Sequence, residues 1–236
     1  MINILCIIPA RSGSKSLPGK NIKKLNGKPL FVWSIEQAKL SKYKSQIKIF
    51  VSTDSKKYAE IAKENGVEVP FLRPKEISQD LSTDYQFLKH CLYFLKIIDS
   101  YVPDIILLLR PTQPCRKIKD IDKCLDLFIQ NRDKYDSLRT VVPFEKSPYK
   151  MYTINNDNNL IPLFKEVNGI SEPYNQPRQI LPQCYLHNGY IDIFNTKIIN
   201  NGTISGEKIY PYIMSKNDTI DIDSNEDWIK AENSFS

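Results

Sequence analysis

Residues Ile7–Ile22 read "IIPARSGSKSLPGKNI" and carry, from Pro9 on, two glycines, three serines, Arg11, Lys15, Lys20 and Asn21. Backbone N–H groups relaxed by Gly13 and Gly19 can curl around phosphate oxygens, and Arg11 and Lys20 bring the charge such oxygens need. A solvated basic turn has the same composition. The stretch is not a Walker A loop, because Asn21 follows the lysine where Ser or Thr is required, and it is not a G-x-G-x-x-G loop. Far along the chain, "DID" sets Asp221 and Asp223 two residues apart. In an extended segment both carboxylates share one face, where they repel unless one is protonated or a cation lies between them. Hard oxygen ligands beside a nucleotide phosphate suit Mg²⁺. The acidic neighbours Asp218, Glu226 and Asp227 fit a solvated turn equally well.

The elements that would position these groups alternate. "INILCII" is a near-continuous apolar run, as for a parallel strand buried on both faces. "PLFVWSIEQAKLS" has helical spacing, "IKIFVSTD" reads as a second strand, and "SKKYAEIAKENG" as a helix between a Ser55 cap and a Gly66 stop. "VEVPFLRP" is a short strand or an extended segment, and "STDYQFLKHCLYFLKI" an amphipathic helix. "DIILLLRPTQP" is the clearest strand, followed by the helix "IKDIDKCLDLFIQN". This alternation predicts an α/β fold with a doubly wound, mostly parallel sheet. Ligands in such sheets bind beyond the carboxyl ends of strands, where Arg11 and Lys20, Ser52–Asp54 and Arg110–Pro114 fall. After about Val141 the pattern turns to short strands, a hairpin through "NNDNN" and a proline-punctuated stretch, and "TIDID" reads as a strand leading into a helix capped at Ser224. The expectation is one domain over 1–236, with about 142–182 as a protruding β arm.

The chain has 236 residues, a net charge of +6 and 41% hydrophobic residues, enough for a full core. No apolar run is long enough to span a bilayer, and the first ten residues lack a signal-peptide pattern. A soluble cytoplasmic protein is the expectation. Its five scattered cysteines, with no C-x-x-C pair, read as free thiols rather than disulfides or a zinc site. The lysines form no long basic block, so a small anionic substrate accounts for the charge better than nucleic acid.

The opening loop resembles the A-R-x-x-S-K-x-(L/I)-P-x-K-N signature of the CMP-sialic acid synthetases (acylneuraminate cytidylyltransferases). Five further segments resemble the same family in order: "VSTD", "LRPKEISQDLSTD", "LLLRPTQPCR", "QPRQILPQCYLHNG" and "TIDIDSNEDWIKAE". The resemblance implies a Rossmann-like nucleotidyltransferase fold with a dimerisation arm. It implies CMP transfer from CTP to the anomeric hydroxyl of a 2-keto nonulosonic acid of the sialic, legionaminic or pseudaminic type, with release of pyrophosphate. It assigns the nucleotide to Ala10, Arg11, Ser12, Gly13, Ser14, Lys20, Asn21, Arg73 and Ser82, and catalysis to Lys20, Arg11 and Asp223. It assigns Mg²⁺ to Asp221 and Asp223, and the sugar acid to Gln113, Arg178 and Asn188; His187 and Tyr190, where the chain departs from the pattern, are further candidates beside the sugar acid. The chain departs from the family pattern at Arg110 (commonly Gln), Leu186 (Arg), His187 (Pro), Tyr190 (a small residue) and Asp192 (Tyr).

Those departures keep another acceptor open, such as an eight-carbon 2-keto acid or an unrelated small molecule, although the opening loop argues against the Kdo type. His187 reads as a substrate contact, a general base or an ordinary surface residue. A nucleotide-binding protein without catalysis is the reading from another class. Trp33 and Trp228 are expected in the core, and His90 at a satisfied surface or boundary position.

Overall fold

A computed structural model of the chain describes residues 2–15, 17–215 and 218–235. Its first strand, β1 (Ile4–Pro9), sends Ile4, Cys6 and Ile8 into one apolar cluster and Leu5 and Ile7 into another. A strand apolar on both sides needs cover on both faces. Along the chain follow α1 (Leu30–Leu40), β2 (Ile47–Ser52), α2 (Lys56–Glu64), α3 (Asp84–Asp99), β3 (Ile105–Leu108), α4 (Ile118–Asn131), β4 (Ser137–Phe144), β5 (Cys184–Asn195), β6 (Ile209–Ile213) and α5 (Asn225–Ser234). Helices α1, α2 and α4 close one face through residues such as Phe31, Tyr58 and Phe128, and α3 closes the other through Phe87, Leu88 and Leu95.

The six strands lie in the order β6–β4–β5–β3–β1–β2. All pairings are parallel except those of β5, which runs antiparallel to both β3 and β4. The expected doubly wound, mostly parallel sheet is therefore present. The carboxyl ends of β1, β2 and β3 meet the first half of β5 at one edge, and the chemistry-bearing residues gather there.

Three sequence expectations shift. The extended residues 67–74 stay outside the sheet; Pro70 and Pro74 lack the N–H a ladder needs, and the main tie is Arg73 N to Thr53 O at 2.7 Å. "TIDID" is extended but pairs with no strand, since Ile222 N bonds instead to Thr112 O of the loop after β3 at 2.8 Å. Val142–Phe144, expected outside the sheet, end β4 against Cys184–Leu186 of β5. Residues 145–183 add nothing to the main sheet. They form a hairpin of Tyr152–Ile154 with Leu160–Pro162, whose turn is held by Asn155 Oδ1 accepting from Asp157 N and Asn159 N, and a small second ladder. Ile154, Leu160, Leu163 and Phe164 lie exposed along it.

The remaining expectations are small in scale. Ser224 caps α5, its Oγ accepting from Asp227 N at 3.2 Å. Trp228 is buried, while Trp33 is half-buried and stacks on Phe235. His90 is half-buried between Phe71 and Phe94, with its Nδ1 buried and without a partner among the described residues, so it is not the satisfied residue expected. The five cysteines are free, with Cys6, Cys91 and Cys124 fully buried. Burial pushes the Cys6 and Cys91 thiols up to about 12, which leaves them inert.

Candidate active site

At the carboxyl edge of the sheet lies an open cleft of about 530 Å³ whose wall includes Arg11, Lys15, Lys20, Arg73, Arg110 and Asp223. The loop after β1 supplies its first wall. Gly19 adopts φ 67°, the left-handed turn that reverses the chain and puts Lys20 at the start of a short 3₁₀ turn. Asn21 is buried and donates from Nδ2 to Arg11 O at 2.9 Å, which ties the loop's two ends together.

Lys20 joins the two halves that the sequence keeps 200 residues apart. Its side chain is buried, and Nζ donates to Ile222 O at 2.7 Å and to Asp223 Oδ1 at 3.2 Å. Ile222 is fully buried beside Trp228, so it anchors the segment while Asp221 and Asp223 flank it at the surface. Partial burial of the Asp221 carboxyl raises its pKa and the neighbouring Asp223 raises it further, against a hydrogen bond from Thr112 and the charges of Lys20 and Arg110. A carboxylate whose ionisation is made costlier by a second one beside it suits a cation between them. No group of three or more His, Cys, Asp or Glu side chains fit to hold a metal occurs among the described residues. Two carboxylates suffice for Mg²⁺ only where substrate phosphates and water complete the shell, which suits their place beside a phosphate-type loop.

Arg11 donates from Nη1 to Asp80 at 2.9 Å and to Ser78 O at 3.4 Å, and Lys15 Nζ lies 2.5 Å from the same Asp80 carboxylate. The two loop cations thus hold Asp80 well below the usual carboxylate range. Arg73 is buried at the end of β2, bonded through Nε and Nη2 to Ser52 and set over the Phe87 ring; burial lowers its pKa, against the carboxylates of Asp54 and Asp84. Ser14 and Ser82 line the cleft.

Other expected contacts fall away from this cleft. Ala10 is fully buried and its N–H is spent on Ser52 O at 2.9 Å, so it offers a phosphate nothing. Ser12 gives both its N–H and its hydroxyl to Asp54, each at 2.7 Å. Gly13 borders a smaller hollow with Asp54 and Asp80 beyond the Arg11 side chain.

The expected sugar-acid residues divide further. Tyr190 is fully buried; its hydroxyl donates to Asp120 at 3.0 Å and accepts from Lys117 N at 2.7 Å, so it faces α4 and cannot narrow a sugar pocket. Asn188 Oδ1 accepts from Thr140 Oγ1 at 2.7 Å, and Gln113 Nε2 donates to Asn188 O at 2.7 Å. Gln113 is almost wholly buried, with Oε1 unpartnered among the described residues. Arg178 is exposed on the arm and donates to Glu145 O at 2.8 Å, in a separate groove. His187 Nε2 bonds Asp192 Oδ1 at 2.7 Å.

Sequence reasoning missed Asp80, Asp84 and Lys15 as cleft residues, and Asp192 as a hub. Asp192 is 2% exposed, and burial alone would raise its pKa; the hydrogen bond from His187 and the charges of Arg110 and Arg139 hold it below the ordinary carboxylate range. A lone aspartate in an apolar strand, "YIDIF", was the available signal, since a buried carboxylate requires cationic partners.

A mostly parallel α/β sheet with a cationic loop and Asp223 facing one cleft at the strands' carboxyl ends defines an α/β protein with a charged, ligand-sized site. Comparisons narrow this. Residues 5–160 match the cytidylyltransferase family. The chain is 34% identical over 226 residues to the N-acylneuraminate cytidylyltransferase of Streptococcus agalactiae serotype V, covering 95% of this chain and 51% of that protein. It is 34% identical over 235 residues to the CMP-N,N'-diacetyllegionaminic acid synthase of Legionella pneumophila, covering 98% and 95%. The chain therefore spans about half the length of the streptococcal relative and nearly all of the Legionella one. A CMP:2-keto-3-deoxy-manno-octonic acid synthetase solved with CTP shares the fold, with a TM-score of 0.67 at 16% identity over 99% of this chain and 98% of that one. The chain belongs to the cytidylyltransferase family.

Proposed function

We propose that this protein transfers CMP from CTP to the anomeric hydroxyl of a nonulosonic acid, releasing pyrophosphate. The observation that carries the reading is Lys20, a buried cation that reaches from the opening loop to both Ile222 O and Asp223. It brings the opening loop and Asp223 to the same cleft, with Asp221 two residues away on the same segment. The relatives' names supply the substrate class: N-acylneuraminate in one case and diacetyllegionaminic acid in another.

In this reading the hydroxyl oxygen forms a bond to the α-phosphorus, the bond from that phosphorus to the β-phosphate bridging oxygen breaks, and the hydroxyl proton leaves to solvent or a carboxylate. Arg11 and Lys15 hold the leaving phosphates, and Lys20 neutralises charge that builds at the reacting phosphorus. Arg73, Ser82, Ser14 and Asn21 shape the nucleotide's place. Asp221 and Asp223 would hold Mg²⁺ with phosphate oxygens, where the ion supplies charge neutralisation and lowers the hydroxyl's pKa. Asp80 occupies Arg11 and Lys15 until the triphosphate replaces it.

The arm at 145–183 fits a homodimer in this reading: its exposed Ile154, Leu160, Leu163 and Phe164 need cover. No helix of the described residues is long and apolar enough to cross a membrane, and use of CTP suits a cytoplasmic protein. The test is to mix the protein with CTP, Mg²⁺ and a panel of N-acetylneuraminate, diacetyllegionaminate, pseudaminate and Kdo, and to follow pyrophosphate. Release with a nine-carbon acid supports the reading. Release with Kdo alone transfers the assignment to another acceptor, and failure of CTP to bind or react refutes it.

A further inference from the structure

Two cations flank the carboxylate pair, and only one of them belongs to the phosphate-type loop. Lys20 bonds Ile222 O and Asp223, and the loop that carries Arg110 is tied to the same segment by Ile222 N donating to Thr112 O at 2.8 Å. Arg110 arrives on the loop after β3 and lines the cleft together with Pro111 and Thr112. Its Nη2 donates to Asp84 at 2.7 Å and to Asp192 at 3.0 Å. Oδ1 of Asp192 is already engaged by His187, so Arg110 meets Oδ2 alone. The stem of Arg110 is held as well. Gly189 sits at φ 63°, and a Cβ there would stand 3.2 Å from Arg110 Cδ, so the chain leaves this side chain a slot that only glycine permits. The guanidinium is thus aimed and anchored at one nitrogen, while Nε and Nη1 make no hydrogen bond among the described residues.

Arg116 shows what a purely structural arginine looks like six residues on. It is 3% exposed and bonds through every nitrogen, to Tyr190 O, Gln37 Oε1, Ser34 Oγ and Arg110 O. Arg110 instead lines the cleft with Nε and Nη1 unbonded among the described residues, Nε lying along Gly189, so Nη1 is the donor left for a charge-assisted bond to an anion.

The proposed reaction brings two anions into this cleft. The triphosphate has Arg11, Lys15 and Lys20 on its side. The acceptor's carboxylate is bonded to the very carbon that bears the attacking hydroxyl. Its receptor must therefore stand beside the carboxylate pair, on the wall away from the loop. Building on the cytidylyltransferase reading, we propose that Arg110 is the specificity-determining receptor for the acceptor's carboxylate, with Asp84 and Asp192 as the positioning residues that aim it.

The experiment uses the fastest acid of the panel and its C1 methyl ester, which keeps the anomeric hydroxyl and removes the charge. With wild type, esterification raises the acceptor KM about 30-fold, and Arg110→Gln raises the KM for the acid by a similar factor, as for loss of a charge-assisted bond. In Arg110→Gln the ester and the acid differ by about threefold or less, because the partner is gone. The CTP KM stays within about twofold, which a general loosening of the cleft would not allow. Should Arg110→Gln fail to fold because Asp192 is left buried and underpaired, Arg110→Gln/Asp192→Asn removes both charges and is read the same way. Equal acid-to-ester ratios in wild type and variant overturn the inference while the reading stands. Wild type that turns over no acid overturns both.

Discussion

Replacing Lys20 by methionine keeps most of the side-chain volume and removes one charge, so its two consequences can be worked out separately. The folded protein loses the Nζ bonds to Ile222 O and to Asp223 Oδ1. The first is a charge-assisted bond to a carbonyl inside the fold and is worth about 2 kcal/mol. The second adds little, because the Asp223 side chain is 73% exposed and solvent screens it. For a chain of this length, 2 kcal/mol lowers the thermal midpoint by about 4–8 °C. Turnover falls much further. A cation that meets charge developing at the phosphorus contributes about 3–4 kcal/mol to the transition state, so kcat drops about 10²–10³-fold. CTP affinity drops less, since Arg11 and Lys15 still meet the outer phosphates. Pyrophosphate release at saturating CTP, below the variant's melting range, gives kcat, and calorimetric titration gives the CTP Kd. A kcat within about threefold of wild type would refute the reasoning. So would losses in Kd and kcat/KM of the same size, because Lys20 would then be a binding or scaffolding residue only.

Other outcomes rest on the same geometry. Asp80→Asn frees Arg11 and Lys15 from a competing carboxylate, so CTP binds more tightly in titrations without metal; weaker binding would mean that Asp80 arranges the cations rather than masking them. Asp192 is held below its unfolded pKa of about 3.9, so the unfolded state binds the proton first as pH falls. Its stabilisation is full above about pH 4 and is lost as pH drops through the folded value. Urea midpoints between pH 6 and 3 should therefore fall more steeply for wild type than for Asp192→Asn, and parallel curves would exclude that role. Ile154→Asp with Leu160→Asp turns the exposed hairpin polar and should give a monomer in analytical ultracentrifugation at micromolar concentration, whereas a wild type already monomeric there rules out the proposed dimer.

Much of the scaffold was legible because its signals are local. Continuous apolar runs at Ile4–Pro9 and Ile105–Leu108 imply cover on both faces, and the structure supplies it from helices on each side. The composition of the opening loop leaves a phosphate cradle and a basic turn equally open, and its residues Arg11, Lys20 and Asn21 line one cleft with Arg73 and Ser82. The reading failed where a residue's facing depends on a neighbour far along the chain. Only the family pattern sets Tyr190 beside the sugar acid, and β5 shifts register between His187 and Asp192 against β4, which a local pattern does not show. In the fold Tyr190 turns to α4 and Asp120, while Asp192 turns to Arg110 and the cleft side. Ala10 and Ser12 sit inside the phosphate-type motif, yet their donors are spent on Ser52 and Asp54.

The sequence by itself determined which cations and carboxylates exist, that Arg11, Lys20 and Arg110 follow strands, and that the sheet carrying them is mostly parallel. Residue type and short-range periodicity settle those matters. Only the tertiary structure decided the pairings. Lys20 meets Asp223 across two hundred residues because Ile222 is buried under the C-terminal helix and its N–H bonds Thr112. Arg110 is aimed by Asp84 and Asp192, and its stem fits the space that Gly189 leaves. A buried charge takes whichever partner the packed fold brings within reach, and no local pattern encodes that distance.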